Sequence, residues 1–177
     1  MQEQFSPLRD RVQAPAVVGV PSHPAVAEWR PARVEDLDVI LALERAVAAS
    51  DHPNWVTSRD EALEPFTVPH IDPVLDTMLA IGADGAVLAY GTVVVPPGQE
   101  TLVRCFVLGN VRPDRREQGI GTALLGWQLA RAQERLAASD KRLPGWVVTF
   151  AEERASGAAD LLERNGLALT RHFFTVE

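Results

Sequence analysis

Residues 107–125, VLGNVRPDRREQGIGTALL, restrict what this chain can become more than any other stretch. A mixed apolar run stops at Pro113, which has no N–H for a strand ladder. A charged turn follows, Asp114-Arg115-Arg116-Glu117-Gln118, and after Gly119-Ile120-Gly121 the pattern becomes helical. A strand, a polar loop with two glycines and a helix start, in that order, make an anion site. The first helical turn has unpaired backbone N–H groups and the positive end of the helix dipole. Glycines let a backbone approach a phosphate without an intervening Cβ. Arg115 and Arg116 add charge beside it. The plainer reading is a strand–turn–helix with a glycine-rich turn. A nucleotide phosphate loop is excluded because no Gly-Lys-Ser/Thr is present. A dinucleotide Gly-x-Gly-x-x-Gly is excluded because its last position is Leu124.

The same stretch resembles the acyl-CoA-binding signature of the GNAT superfamily of N-acetyltransferases. The family pattern Arg/Gln-x-x-Gly-x-Gly/Ala is met by Arg116, Gly119 and Gly121. The match extends to Val111 and Pro113 before it and to Ala123-Leu124-Leu125 after it. The resemblance covers residues 28–176. It implies an α/β (α+β) fold with a mixed sheet of about six or seven strands, antiparallel then parallel, and helices on both faces. It implies acetyl-CoA as cosubstrate. The pyrophosphate would lie on Gln118, Gly119, Ile120, Gly121 and Thr122, with Arg116 and Glu117 adjoining. The backbone of Gly109, Asn110 and Val111 would hold the pantetheine arm and polarise the thioester carbonyl.

A chain of 177 residues with 46% hydrophobic and 23% charged residues is an ordinary globular chain, with one domain as the prior. Its net charge of −7 argues against nucleic acid or an anionic membrane as the main partner. The local basic run Arg112-Arg115-Arg116 suits a phosphate-bearing ligand instead. The lone cysteine, Cys105, rules out an internal disulfide and reads as a buried thiol in an apolar strand. No segment reaches about 18 apolar residues and no signal-peptide pattern opens the chain. A cytoplasmic location is the default expectation, and no metal is expected.

Residues 1–25 carry four prolines and read as an extended or poorly ordered lead-in, with Val17-Val18-Gly19-Val20 able to lie on the fold or a partner. The domain is expected over 26–177. Val26–Arg33 reads as a strand containing Trp29, and Val34-Glu35-Asp36 caps a helix to about Ala49. Leu37, Ile40, Leu41, Leu43 and Val47 share one face of it. Ser58-Arg59-Asp60-Glu61 has the form of a capping box, opening a short helix that ends near Phe66. The loops around that helix offer His52, Asn54, Trp55, His70 and Asp72, where substrate contacts are to be sought. Three strands follow as an antiparallel meander, Asp76–Ile81, Ala86–Val95 and Thr101–Val111, with an Asp-Gly hairpin signal at 84–85. Tyr90 inside a strand suggests packing. Gly109, late in its strand, suggests a bulge or a close approach by ligand backbone. A long helix, Gly119 to about Ala138, leads to Trp146–Ala151, which reads as a buried parallel strand. A helix over 154–164 ends at the C-cap signal Asn165-Gly166, and Leu167–Val176 is a last extended segment.

The closing region departs from the family. GNAT domains show Asn-x-x-Ala-x-x-Leu-Tyr-x-x-x-Gly-Phe there. Ala158, Leu161 and Gly166 match, but Ala155, Leu162 and Leu167 stand at the asparagine, tyrosine and phenylalanine positions. In many members that tyrosine protonates the leaving CoA thiolate, which Leu162 cannot do. Glu100, Glu152, His52 and His70 are general-base candidates by position only. The implied reaction is direct attack of a small-molecule amine on acetyl-CoA, for which placement alone contributes about 7 to 11 kcal/mol. The alternative is a non-catalytic acyl-CoA-binding module, regulatory or structural. The tail Arg171–Glu177 also resembles the first half of a tandem, mycothiol-synthase-like GNAT protein, so a second GNAT domain or a homodimer is an expected partner.

Overall fold

The computed structural model describes residues 5–54, 56–155 and 157–171. Five strands, β1 (Glu28–Arg30), β2 (Thr77–Ile81), β3 (Val87–Val94), β4 (Val103–Val111) and β5 (Gly145–Val148), form one sheet in sequence order. The first three pairings are antiparallel, and β4 pairs with β5 in parallel. The helices are α1 (Leu8–Arg11), α2 (Leu37–Asp51), α3 (Arg59–Thr67), α4 (Pro73–Asp76), α5 (Ile120–Ala137) and α6 (Ala158–Arg164). The meander, the long crossover helix and the parallel return are as the sequence leads one to expect. The strand count is lower. Residues 167–171 form no strand, and residues 172–177 of the expected last segment, with most of the tail, lie outside the described residues.

Alternation along the central strands divides the molecule into two layers. From β4, Val103, Cys105 and Val107 join the larger core under α5, with Ile120, Leu124, Trp127 and Leu136. From α2, Ile40, Leu43 and Val47 pack with Leu79 and Tyr90 on the opposite face. The Ser58 capping box forms, its side chain accepting from Glu61 N–H while the Glu61 carboxylate accepts from Ser58 N–H. Leu167 N–H reaches the Leu162 carbonyl and Gly166 N–H reaches Glu163, so the expected C-cap closes α6 as a Schellman motif.

The bulge lies elsewhere than Gly109. Ala80 faces Ala89 but Ile81 faces Val87, which makes Leu88 the extra residue, while the β3–β4 ladder runs unbroken past Gly109. Gly109 instead faces Gly91 directly. The Gln128 side chain of α5 crosses this pair, donating from Nε2 to the Leu108 carbonyl at 2.7 Å and the Thr92 carbonyl at 3.1 Å. A Cβ on Gly91 would stand 2.9 Å from that nitrogen, so the glycines make room for a polar side chain inside the core.

Two expectations are corrected by packing. The lead-in is not merely extended. Leu8 is buried in the main core, its N–H bonded to the Lys141 carbonyl, and Gly145 leaves the space that Leu8 fills. Val18 also packs on the core, whereas Val17 and Val20 are exposed. The second correction concerns 146–151. β5 ends at Val148, and Trp146 is half exposed and Phe150 more than half.

A buried ion cluster ties α5 to the start of β2. Asp76, fully buried, accepts from Arg131 at 2.8 Å, Arg135 at 3.0 Å and its own helix at Asp72 N–H. Arg131 also pairs with Glu134. Removing one partner of such a cluster leaves an uncompensated buried charge. Asp76→Ala is expected to lower unfolding free energy by about 3–5 kcal/mol in a denaturant titration. A loss below about 1 kcal/mol would show that the cluster is not buried in solution.

Candidate functional site

The loop between β4 and α5 sorts its three arginines. Arg112 is held by Asp114, at 2.6 and 3.0 Å. Arg116 makes a bidentate pair with Asp51 at the end of α2, at 2.8 and 2.7 Å, and donates to the Val111 carbonyl. Asp51 is buried, and the guanidinium holds its carboxyl below the usual carboxylate range. Arg116, the motif residue, is therefore a clamp between α2 and the end of β4. Arg115 is left as the least engaged cation. Its Nε has no hydrogen-bond partner, and the Asp114 carboxylate lies 3.9 Å away.

Two left-handed residues, Glu117 at φ 59° and Gly119 at φ 91°, turn the chain into α5. No side chain caps that helix, and its first internal bond runs from Ala123 N–H to the Gly119 carbonyl. The N–H groups of Gly119, Ile120, Gly121 and Thr122 precede that bond, which is the arrangement an anion binds. Gln118 is turned the other way at its carbonyl, which accepts from His23 Nε2 at 2.7 Å. His23 Nδ1 accepts from Ala25 N–H, so the proton resides on Nε2. Gly121 has a role the sequence does not reveal. A Cβ there would meet Leu161 at 3.3 Å and Val111 at 3.5 Å, so this glycine serves the packing of helix on strand.

On the other face of β4 lies a cleft of about 460 Å³ bounded by α2, α3, β3 and β4. Glu44 of α2 lines it and accepts two bonds from Asn110 Nδ2, at 3.0 and 2.9 Å, and a longer one from Thr57 at 3.5 Å. Burial raises the Glu44 carboxyl above its ordinary value, opposed by the Asn110 hydrogen bonds. Tyr90 lines the same cleft; its hydroxyl is buried with no hydrogen-bond partner among the described residues, and burial pushes it up from the ordinary phenol value.

Of the positional candidates, His70 lines the cleft, whereas Glu100, Glu152 and His52 do not. Glu100 and Glu152 are exposed, and His52 closes the C-terminus of α2. Asp72 caps α4 at Val74 N–H. Asn54 lies in the loop, and Trp55 lies outside the described residues. Cys105 is fully buried, which pushes its thiol up to about 12 and keeps it protonated. Leu162 is half-buried against the main core. Glu44 went unnoticed in the sequence, although a signal exists: it is a carboxylate among Leu37, Ile40, Leu41 and Val47 on the apolar face of its helix, as is Asp51 seven residues on.

The strand β4 joins the two places. Its pairing with β5 stops at Phe106 and Val148, so Val107–Val111 continue without β5 beside them. Asn110 faces the cleft, and the next residue, Val111, meets α5 at Gly121. This splayed strand ahead of an uncapped helix decides the comparison. The fold is that of the GNAT N-acetyltransferases.

A GCN5-related N-acetyltransferase from Sphaerobacter thermophilus superposes with a TM-score of 0.62 at 25% identity, over 78% of this chain and 42% of that one. The matched part is thus less than half of the Sphaerobacter chain. A predicted acetyltransferase from Clostridium acetobutylicum, with acetyl-CoA, gives 0.59 at 14% identity over 85% and 95% of the two chains. An aminoglycoside N-acetyltransferase in complex with CoA gives 0.53 at 14% identity over 85% and 98%. No protein-family model and no curated protein matches the sequence. No helix among the described residues is long and apolar enough to cross a membrane.

The two neighbouring arginines of this GNAT-fold loop are expected to separate by stability. Arg116→Ala leaves Asp51 buried without its partner and is expected to cost about 3–5 kcal/mol. Arg115→Ala is expected to change stability by less than about 0.5 kcal/mol. Thermal unfolding of both variants checks this, and equal midpoints would remove the clamp assigned to Arg116.

Proposed function

We propose that this chain transfers an acetyl group from acetyl-CoA to the amine of a small molecule, with Glu44 as the proton acceptor. The observation that carries the reading is Asn110, which holds the Glu44 carboxylate in a formed cleft one residue before β4 reaches the start of α5. A donor placed along the free edge of β4 and an acceptor placed in the cleft would meet there.

The pyrophosphate would lie on the N–H groups of Gly119–Thr122, the ends of Glu117 and Gln118 shaping the turn, with Arg115 rather than Arg116 as its cation. The backbone at Gly109, Asn110 and Val111 would carry the pantetheine arm and donate to the thioester oxygen as charge develops. Glu44 takes a proton from the bound ammonium. The freed nitrogen attacks the thioester carbon, a C–N bond forms and the C–S bond breaks. The nitrogen gives up its second proton to solvent as the amide forms, and the departing sulfur takes a proton from solvent, which suits a chain with Leu162 at the family's tyrosine position. A buried carboxylate in an open cleft favours this reaction over a non-catalytic acyl-CoA module, which has no use for one.

Glu44→Gln keeps the shape and removes the base. Amine acetylation, followed by free thiol, is expected to fall about 10²- to 10⁴-fold in kcat/KM. CoA affinity by calorimetry is expected to stay unchanged in that variant, while Arg115→Glu weakens it about tenfold. The sign of the pH dependence follows from burial. Glu44 acts only when deprotonated and its pKa is raised, so the rate climbs as pH passes above the ordinary carboxylate range. Loss of that limb in Glu44→Gln supports the assignment, and a wild-type rate in the variant refutes it.

A further inference from the structure

The lining of the cleft speaks to what it accepts. Its charged side chains include three carboxylates, Glu44, Glu61 and Glu64, and no lysine or arginine. The arginine at the start of α3, Arg59, is held by Asp38 at 2.7 Å. Tyr90 is only 8% exposed, and its hydroxyl has neither donor nor acceptor partner among the described residues. A buried hydroxyl in that state is completed by a ligand that offers it a hydrogen bond. Around these groups the walls are mostly apolar, with Ile40, Val68, Ile71, Phe106 and Leu108 outweighing Thr57, His70 and Thr92.

We propose that the cleft selects a primary amine carried on an apolar body without an acidic group, its ammonium set between Glu44 and the Tyr90 hydroxyl. The chemistry done on that amine rests on the acetyl-transfer reading, whereas its binding does not. The ammonium meets a carboxylate already oriented by Asn110 and gives a further N–H to Tyr90. A carboxylate on the ligand meets three carboxylates of the same sign, with no lysine or arginine among the described lining residues to balance them. A polyhydroxylated body sets hydroxyls against Phe106 and Leu108, which offer them no partner. A cleft of about 460 Å³ is of the size that encloses a small ligand of this kind.

The test compares phenethylamine with phenylalanine, which differ by one carboxylate, and with glucosamine. Calorimetry on the full chain, with and without CoA, measures each affinity directly. Phenethylamine is expected to bind at least about tenfold tighter than the other two. Tyr90→Phe is expected to weaken phenethylamine about tenfold without lowering the thermal midpoint, because the hydroxyl has no partner among the described residues of the free protein. Phenylalanine or glucosamine binding as tightly as phenethylamine overturns the proposal. So does undetectable phenethylamine binding, or an unchanged affinity in Tyr90→Phe. Selective amine binding without thiol release supports this acceptor class while counting against acetyl transfer.

Discussion

Gln128 passes one amide nitrogen between two carbonyls across paired glycines, and the geometry of the whole site depends on that crossing. Because Gly91 and Gly109 carry no Cβ, α5 lies close on β3 and β4 at this level. Gln128 then fixes which turn of the helix meets which residue of the strand. Two turns earlier the helix begins at Ile120, packed on Val111 through Gly121. The uncapped N–H groups are thereby held at the end of β4, where the strand has already left β5. A bulkier residue at either glycine would separate the helix from the sheet and with it the uncapped N–H groups from the cleft.

The same strand end is held from the other side by ionic contacts. Arg116 reaches back to Asp51, and Asn110 reaches across to Glu44, so α2 is tied to β4 at two points. These ties differ in kind. The Arg116–Asp51 pair is buried and matched, and favours the charged state of Asp51. Glu44 is met by the Asn110 amide and, at longer range, the Thr57 hydroxyl, with no guanidinium against it, and burial favours its proton. One carboxylate is thus kept as a structural anion and the other is left able to exchange a proton. The contrast arises from the partner each receives.

Much of this was legible in the sequence because it was local. The meander, the crossover helix, the Ser58 capping box and the Asn165-Gly166 cap each follow from patterns a few residues long. The parallel return to 145–148 was legible too, although its exposure was not, since that depends on which helices cover the sheet. What escaped reading was long-range pairing. Arg116 matches the family motif, yet its guanidinium is committed to a residue 65 positions away, which no local pattern encodes. Leu8 looked like part of a proline-rich lead-in until Gly145 opened a space for it. Glu44 left the clearest unread sign, a carboxylate on an apolar helix face. The expected bulge at Gly109 is absent, and what comes close there is the chain's own Gln128 side chain.

A crystal structure of the full chain with acetyl-CoA and a bound primary amine tests the central claim most directly, that the start of α5 and the Glu44 cleft work as one site at the end of β4. The account predicts the pyrophosphate on the N–H groups of Gly119–Thr122 and the thioester carbon within about 3.5 Å of an amine nitrogen that is hydrogen-bonded to Glu44. A thioester directed away from the cleft, or an amine seated without contact to Glu44, would contradict it.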